Sequence, residues 1–334
     1  MSKEQFQHAL ARRFDDGQRT LVPVLGSGLH LHLAYLTGDP RWKALHGWDT
    51  LLARVARSMD TALPAHANAP MLWDDLVLTA THRDPVAAAS EVEAQLLRDH
   101  LVPALQTPDG ADTVLASLGE SLLAHRDVIS LNFDDTLQRA LRCTRARRVK
   151  TDDSPHERTG EVTAWRLGER TVRIWQMHGS VRRPRSIVLG TSVYGRAAAK
   201  LVDGFASAKD AERRWLMQNP GDGQWTPAHH ARWQHARRAP HAMLGRSRLG
   251  VMDLFASADL AFLGTSLEVS EVDVWWALHQ RARNHARLPP EQRPATFVLR
   301  GDATKTHLAT GPANVTLVAL PQWSECWDAL LAPA

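Results

Sequence analysis

Residues 21 to 31, LVPVLGSGLHL, run apolar for five positions and then break on Gly26, Ser27 and Gly28. Glycine at 26 and 28 removes Cβ atoms where the chain turns, so another backbone or a ligand can approach closely. Such a turn exposes backbone N–H groups, and a helix starting just beyond it adds the positive end of its dipole, which together favour a phosphate. An ordinary tight strand-to-helix connection looks the same, so the other strand ends must decide. DVISLNFDD (127–135) delivers Asn132 and Asp134, TVRIWQMHGSV (171–181) delivers His178, and ADLAFLGTS (258–266) delivers Gly264, Thr265 and Ser266. An asparagine amide both donates and accepts, which suits it to hold a hydroxyl or a water. An imidazole titrates near neutral pH, which suits it to take a proton. Asp134 is placed to fix the Asn132 loop by accepting backbone hydrogen bonds. Taken singly, Asn132 reads as a turn residue, His178 as a structural histidine and Asp135 as a helix start.

The elements that must position these groups alternate between strand and helix. The run 21–25 predicts a strand covered on both faces. GWDTLLARVARSMD (47–60) has helical spacing with Asp49 near its start, and a helical layer spans about 50–125, broken at Pro85, Pro103 and Pro108. Strands are predicted within 127–131, 171–177 and 186–190 (SIVLG), the last leading to Tyr194. The segment 196–250, dense in Arg, His and Trp, reads as a helical insertion or lid. Strand, turn and helix return at 258–284, followed by strands in PATFVLRGD (294–302) and NVTLVALP (314–321) and a final helix from Trp323 to Leu331. The pattern predicts an α/β, Rossmann-like, open and mostly parallel sheet with helices on both faces, as one domain over 1–334. In such sheets a ligand lies at the carboxyl ends of the strands, where the strand order reverses. The unusual residues above all fall at those ends.

Composition narrows the classes. The chain has 334 residues, 44% hydrophobic and 23% charged, an ordinary globular balance, and no apolar run approaches the roughly 18 to 20 residues of a membrane span. The N-terminal MSKEQFQHALARRFDDGQ mixes both charge signs on a predicted helix and lacks the apolar core of a secretion signal, so a cytoplasmic location is expected. Cys143 and Cys326 are the only cysteines, which excludes a cysteine zinc ribbon and argues against a disulfide framework. The net charge of +4 is small and carries little information about nucleic acid. In HHARWQHARRAPH (229–241) the histidines are unevenly spaced without nearby carboxylates or cysteines, against a metal site. Its arginines beside Trp225 and Trp233 keep open a nucleic-acid surface by charge and stacking.

The ordered set G-S-G (26–28), S-L-N-F-D (130–134), H-G (178–179) and G-T-S-L-E-V (264–269) resembles the sirtuin family of NAD-consuming enzymes. Sirtuins carry a G-A-G turn, a T-Q-N-x-D segment, a catalytic H-G and a G-T-S-L-x-V strand end. The chain departs from the protein deacylases of that family. It lacks their four zinc cysteines, has Ser130 and Leu131 in place of Thr and Gln, and has Leu29 and His30 in the second half of the first signature. In these features, and in Trp48 and Tyr194, it is similar to the zinc-free bacterial sirtuin-like NAD hydrolases of anti-phage defence.

The resemblance implies cleavage of the nicotinamide–ribose bond of NAD, with no metal, to give nicotinamide and ADP-ribose. Asn132 and His178 are then the catalytic residues. Gly26, Ser27, Gly28, Asp134, Gly264, Thr265 and Ser266 bind the nucleotide, and Arg300 stands where sirtuins place an asparagine near adenosine. That bond breaks through an oxocarbenium-like ribose with a leaving group already cationic, so no strong general acid is needed. The site needs a polar group for the ribose or the attacking water and a base near the ribose hydroxyls, roles suited to Asn132 and His178. An enzyme of this kind implies control by its own oligomer or by a separate sensor protein. Three alternatives stay open: a module that binds NAD or ADP-ribose without turnover, a nucleic-acid-associated component acting through 196–250, and, last, an NAD-dependent deacylase.

Overall fold

In the computed structural model the described residues are 5–6, 21–63, 68–150, 161–191, 193–199, 202, 250–265, 267, 271–286, 293–300, 315–320 and 322–331. Their strands are β1 (Leu21–Leu25), β2 (Asp127–Ser130), β3 (Arg147–Val149), β4 (Glu161–Leu167), β5 (Arg170–Gln176), β6 (Asp259–Leu263), β7 (Thr296–Arg300) and β8 (Val315–Ala319). All eight form one sheet in the order β3-β4-β5-β2-β1-β6-β7-β8. From β5 to β8 every neighbouring pair is parallel, whereas β3, β4 and β5 pair antiparallel. The fold is the expected mostly parallel, Rossmann-like α/β sheet. The chain leaves β1 for β2 on one side and returns to β6 on the other, so the order reverses beside β1.

The helices are α1 (Gly28–Thr37), α2 (Trp48–Ser58), α3 (Ala69–Arg83), α4 (Ala89–Leu96), α5 (Asp112–Leu122), α6 (Thr136–Cys143), α7 (Val251–Ser257), α8 (Val272–His285) and α9 (Trp323–Leu331). Strand periodicity assigns the faces. Leu21 and Leu25 of β1 pack in one core with Leu29 and Leu33 of α1, Leu115 of α5, Leu137 of α6 and Trp327 of α9. Val22 and Val24, between them, pack in the other with Phe255 of α7 and Val274 and Leu278 of α8. Every residue of β1 is therefore buried, which is why its sequence is apolar without alternation. A third cluster joins Leu52 and Val55 of α2, Trp73 and Leu76 of α3 and Val92 of α4 to Phe133, Ile187 and Leu189. This is the helical layer, and it caps the carboxyl edge of the sheet beside Phe133.

Two expectations about strands change. SIVLG is not a strand: Pro184–Ser186 form a 3-10 turn and 187–189 run extended without sheet pairing. Both neighbours of β5 are already filled by β2 and β4, so the apolar residues Ile187 and Leu189 turn into the helical cluster instead. The hairpin β4–β5 was not expected. Its signal lies in two apolar-rich runs separated by Gly168 and Glu169, with Gly168 at φ +59°. The stretch 196–250 lies outside the described residues except 196–199, 202 and 250, as does the N-terminal helix except residues 5 and 6.

Two buried charges hold the site's strands in register. Arg173 on β5 donates from Nε and Nη2 to Asp127 on β2 at 2.6 and 2.7 Å, and Trp175 Nε1 adds 2.8 Å to the same carboxylate. Across the sheet, Arg281 of α8 donates to the carbonyls of Ala258 and Ala295 at 2.6 and 2.8 Å, tying the helix to the starts of β6 and β7.

The turn after β1 lies directly against the turn after β6. Gly26 N donates to Leu263 O at 2.9 Å and Gly28 N to Gly264 O at 2.7 Å. A Cβ at Gly26 would stand 2.5 Å from Gly264 O and 2.7 Å from Thr265 Cβ. Gly26→Ala therefore forces the two turns apart, with an expected cost of about 1–3 kcal/mol. The check is a lower urea midpoint with an unchanged slope, and an unchanged midpoint would contradict the close packing.

Candidate active site

A pocket of about 630 Å³ opens at the carboxyl edge of β1, β2, β5 and β6, a volume within the usual range for small-molecule sites. Of the residues expected from the sequence it brings together Gly26, Ser27, Asn132, Asp134, His178 and Thr265. Gly28 and Gly264 sit behind the lining, bonded to each other through Gly28 N and Gly264 O. Ser266 lies outside the described residues. Arg300 ends β7, is half-buried, and does not line the pocket; burial lowers its pKa from the usual value.

The glycine turn differs from the expected row of phosphate donors. Two of its three amides, Gly26 and Gly28, are spent on β6. The Ser27 amide has no partner among the described residues, and α1 begins at the next residue. What the turn offers an anion is thus one amide and a helix N-terminus rather than a three-donor cradle. Ser27 Oγ meets His46 Nδ1 at 3.2 Å on the pocket wall.

Asn132 is held from both ends. Its backbone amide donates to Ser130 Oγ at 3.1 Å, and its Nδ2 donates to Gly26 O at 3.1 Å, which links the β2 loop to the β1 turn. Oδ1 has no partner among the described residues and is the acceptor left for a hydroxyl or a water.

His178 follows β5 and is 3% exposed. Gly179 beside it has φ +89°, and a Cβ there would stand 2.2 Å from Ser186 O, so the His-Gly pair is a steric requirement of the 184–187 turn. Nδ1 of His178 lies 3.1 Å from Leu131 O, and Nε2 lies 2.9 Å from Asp273 Oδ2. Both neighbours are acceptors, so the ring sits as an imidazolium between a carbonyl and a carboxylate. Burial pushes its pKa down, but the charge and hydrogen bond of Asp273, the charge of Glu271 and the Leu131 carbonyl outweigh that and leave it above the usual value. Burial likewise pushes Asp273 up, while the His178 charge and hydrogen bond and the Val274 amide bring it below the usual carboxylate range. In this arrangement His178 offers no ring nitrogen to a ribose hydroxyl, which departs from the expected role of a free base.

A second buried pair stands across the pocket. Residues 28–37 are helical, so His30 and His32 turn to different surroundings. His30 lines the pocket, while His32 stacks on Trp327 with ring centroids 4.9 Å apart and has its pKa lowered to about 4, chiefly by burial against the pull of Asp328. His30 Nε2 lies 3.1 Å from Asp134 Oδ2, and Asp134 Oδ1 accepts from Thr136 N at 2.9 Å. Burial pushes Asp134 up, but the His30 charge and hydrogen bond with the Thr136 bonds bring it below the usual range. Asp135, expected as a helix start, is the residue before α6 and pairs with Arg142 and Arg182.

The apolar wall comes from Trp48, Leu105, Leu131 and Phe133, with Trp48 and Phe133 edge to face at 5.1 Å. Tyr194 lies 6.2 Å from the His178 ring, and burial, Asp273 and Glu271 push its pKa up. Sequence reasoning missed Asp273 and Glu271. Glu271 lines the pocket and accepts from Thr265 Oγ1 at 3.1 Å. The available signal was a run of carboxylates, Glu268, Glu271 and Asp273, straight after the G-T-S strand end. A first-turn Asp has an ordinary reading as a helix-dipole partner, and its partner His178 is 95 residues away.

A parallel sheet with a polar pocket at its reversal point and a glycine turn packed beside it defines a nucleotide-type α/β site. A family model described as the SIR2-like domain matches residues 126–310, more than half of the chain, and the chain belongs to that family. SIR2-like domains are in general NAD-dependent enzymes. The match takes in Asn132, His178 and Arg300 and begins after the glycine turn. No curated protein matches the chain. Among the described residues no group of three or more His, Cys, Asp or Glu is placed to hold a metal ion, and no helix is long and apolar enough to cross a membrane.

The His178–Asp273 pair has a pH signature. A raised histidine pKa stabilises fully below the usual 6.5 and loses that contribution as pH rises through the higher folded value. A lowered Asp pKa stabilises above the usual 3.8 and loses it as pH falls through the lower folded value. The pair therefore contributes most between about pH 3.8 and 6.5. Thermal melts should show Tm falling on the alkaline side in the native chain, with a flatter dependence in Asp273→Asn. An identical alkaline slope in both would contradict the ion pair.

Proposed function

We propose that the protein is an NAD glycohydrolase that cleaves the nicotinamide–ribose bond to give nicotinamide and ADP-ribose. The observation that carries this reading is the convergence of Asn132, His178, Ser27 and Thr265, from four separate strand ends, on one pocket with an aromatic wall. The Ser27 amide and the start of α1 suit the diphosphate, with Gly26 and Gly28 acting by lacking side chains. Thr265 and Gly264 belong to the same phosphate and ribose side, and Arg300, one strand beyond β6, to the adenosine end; Ser266 lies outside the described residues. Trp48 and Phe133 suit a flat heterocycle.

As the C1′–N bond breaks, its electron pair neutralises the pyridinium and positive charge passes to the ribose. Asn132 Oδ1 is the acceptor that orients a ribose hydroxyl or the incoming water. The carboxylates of Asp134 and Glu271, both in the lining, favour the growing cation over the uncharged ring left behind. His178 works from its clamp: its Nδ1 holds the Leu131 carbonyl, one residue before Asn132, and its Nε2 holds α8. Its charge and the Asn132 loop are thereby fixed together before substrate arrives.

The resemblance to zinc-free bacterial hydrolases supports a role as an NAD-depleting effector of anti-phage defence. Such an activity would need restraint by a homo-oligomer or a separate sensor protein. The engaged nitrogens of His178 support a second reading, a module that binds NAD or ADP-ribose and leaves it intact. The nucleic-acid reading rests on 196–250, most of which lies outside the described residues.

Incubation of the full chain with NAD, followed by chromatographic quantification of nicotinamide, separates these. The hydrolase reading expects equimolar nicotinamide and ADP-ribose, reduced about 10²-fold or more in Asn132→Ala and His178→Ala. Tight NAD binding by calorimetry with the ligand recovered intact would instead establish the binding module.

A further inference from the structure

Three histidines line the pocket, His30, His46 and His178; His30 and His178 each pair with a buried carboxylate, but the pairs are not equivalent. His178 has an acceptor at each ring nitrogen, Leu131 O at Nδ1 and Asp273 Oδ2 at Nε2. His30 has Asp134 Oδ2 at 3.1 Å and Thr136 Oγ1 at 3.4 Å, both at Nε2. Its Nδ1 is buried with no hydrogen-bond partner. Asp134 is ionised and bound to the Thr136 amide on its other oxygen, so it can only accept, and Nε2 of His30 must carry the proton. In the neutral ring Nδ1 is then the nitrogen with a lone pair, and the residue lines the cavity. A ring nitrogen left unpaired in a buried setting calls for a partner, and an imidazole whose far nitrogen is fixed by a carboxylate is the arrangement of a proton acceptor.

We propose that His30, oriented by Asp134, is the proton acceptor of this pocket, in place of His178. The inference rests on the NAD-cleavage reading above. In that reaction the C1′–N bond breaks with its electron pair going to the pyridinium nitrogen, and a water oxygen forms the new bond to C1′. The proton that the water loses passes to His30 Nδ1, a nitrogen buried in this structure, so the step requires the ring to turn that edge to the water when substrate binds. The resulting imidazolium is held by the Asp134 carboxylate and then returns its proton to solvent, so one NAD and one water give nicotinamide, ADP-ribose and one proton. His178, already protonated at both nitrogens, takes no part in that transfer and serves to position the Asn132 loop and α8. Asp134, from the loop after β2, contacts the His30 ring, and the other titratable groups lining the same pocket are His46, Asp49, His178 and Glu271. Trp42, stacked 6.4 Å away, is neutral.

Nicotinamide release should be measured for the full chain, His30→Gln, His30→Ala and Asp134→Asn, with folding checked by circular dichroism. In parallel, ring-nitrogen NMR of the wild type should assign the His30 and His178 protonation states. The proposal expects a kcat lower by about 10²-fold or more in His30→Gln with KM little changed, partial restoration of His30→Ala by added imidazole, and a proton on Nε2 but not Nδ1 of His30. A wild type that releases nicotinamide while His30→Gln keeps its kcat overturns the assignment and leaves the NAD reading intact. A His30 protonated at Nδ1 and bare at Nε2 overturns it as well. Should His30→Gln fail to fold, a folded Asp134→Asn with wild-type kcat overturns it in the same way. A wild type that releases no nicotinamide under any condition overturns the NAD reading and the proton-acceptor role together.

Discussion

The contact on which the site depends is the close approach of two backbone turns, the one after β1 and the one after β6. Gly26 and Gly28 give their amides to Leu263 and Gly264, and only a residue without a Cβ fits at 26. Because the strand order reverses beside β1, this is where a crevice would open in such a sheet. Closing its floor with backbone hydrogen bonds fixes the depth of the pocket. It also fixes Asn132, whose side chain takes the Gly26 carbonyl as its anchor. The glycines thus act less as a phosphate cradle than as the joint that brings β1, β2 and β6 to one depth.

Around that joint the charge is arranged in two buried histidine–carboxylate pairs. Removing one partner of such a pair strands the other and costs about 3–5 kcal/mol, so each fixes the elements it connects. His178–Asp273 joins the end of β5 to the start of α8, and His30–Asp134 joins α1 to the loop after β2. Both keep strongly polar groups buried beside the apolar cores, as the Arg173–Asp127 pair and Arg281 also are. They differ only in what faces the second ring nitrogen, and that difference separates a fixed cation from a group able to accept a proton.

Much of this was legible in the sequence because the signals are local. The apolar run of β1, the glycine turn and the polar residues that end β2, β5 and β6 are each contained in fewer than ten residues, and the topology then brings them to one edge. What escaped the sequence is long-range. Asp273 has an ordinary reading as a first-turn carboxylate until the fold sets it against His178. His30 and His32 have one spacing and two fates, one lining a pocket and one stacked on Trp327. SIVLG has the composition of a strand, but the edge it would need is taken by the β4–β5 hairpin, so burial in the helical cluster decides its conformation. The expected donors at 26 and 28 failed for the same reason, since nothing in Gly-Ser-Gly tells which backbone groups a distant turn will claim.

The central proposal is that NAD lies in this pocket with its nicotinamide ribose at Asn132 Oδ1. Its most direct measurement is the structure of the full chain with a hydrolysis-resistant NAD analogue. The account predicts C1′ of that ribose within roughly 4 Å of Asn132 Oδ1, near-attack range for a bound water, with the diphosphate at the Ser27 amide. An analogue bound outside the pocket, or with its adenine end at Asn132, would contradict it.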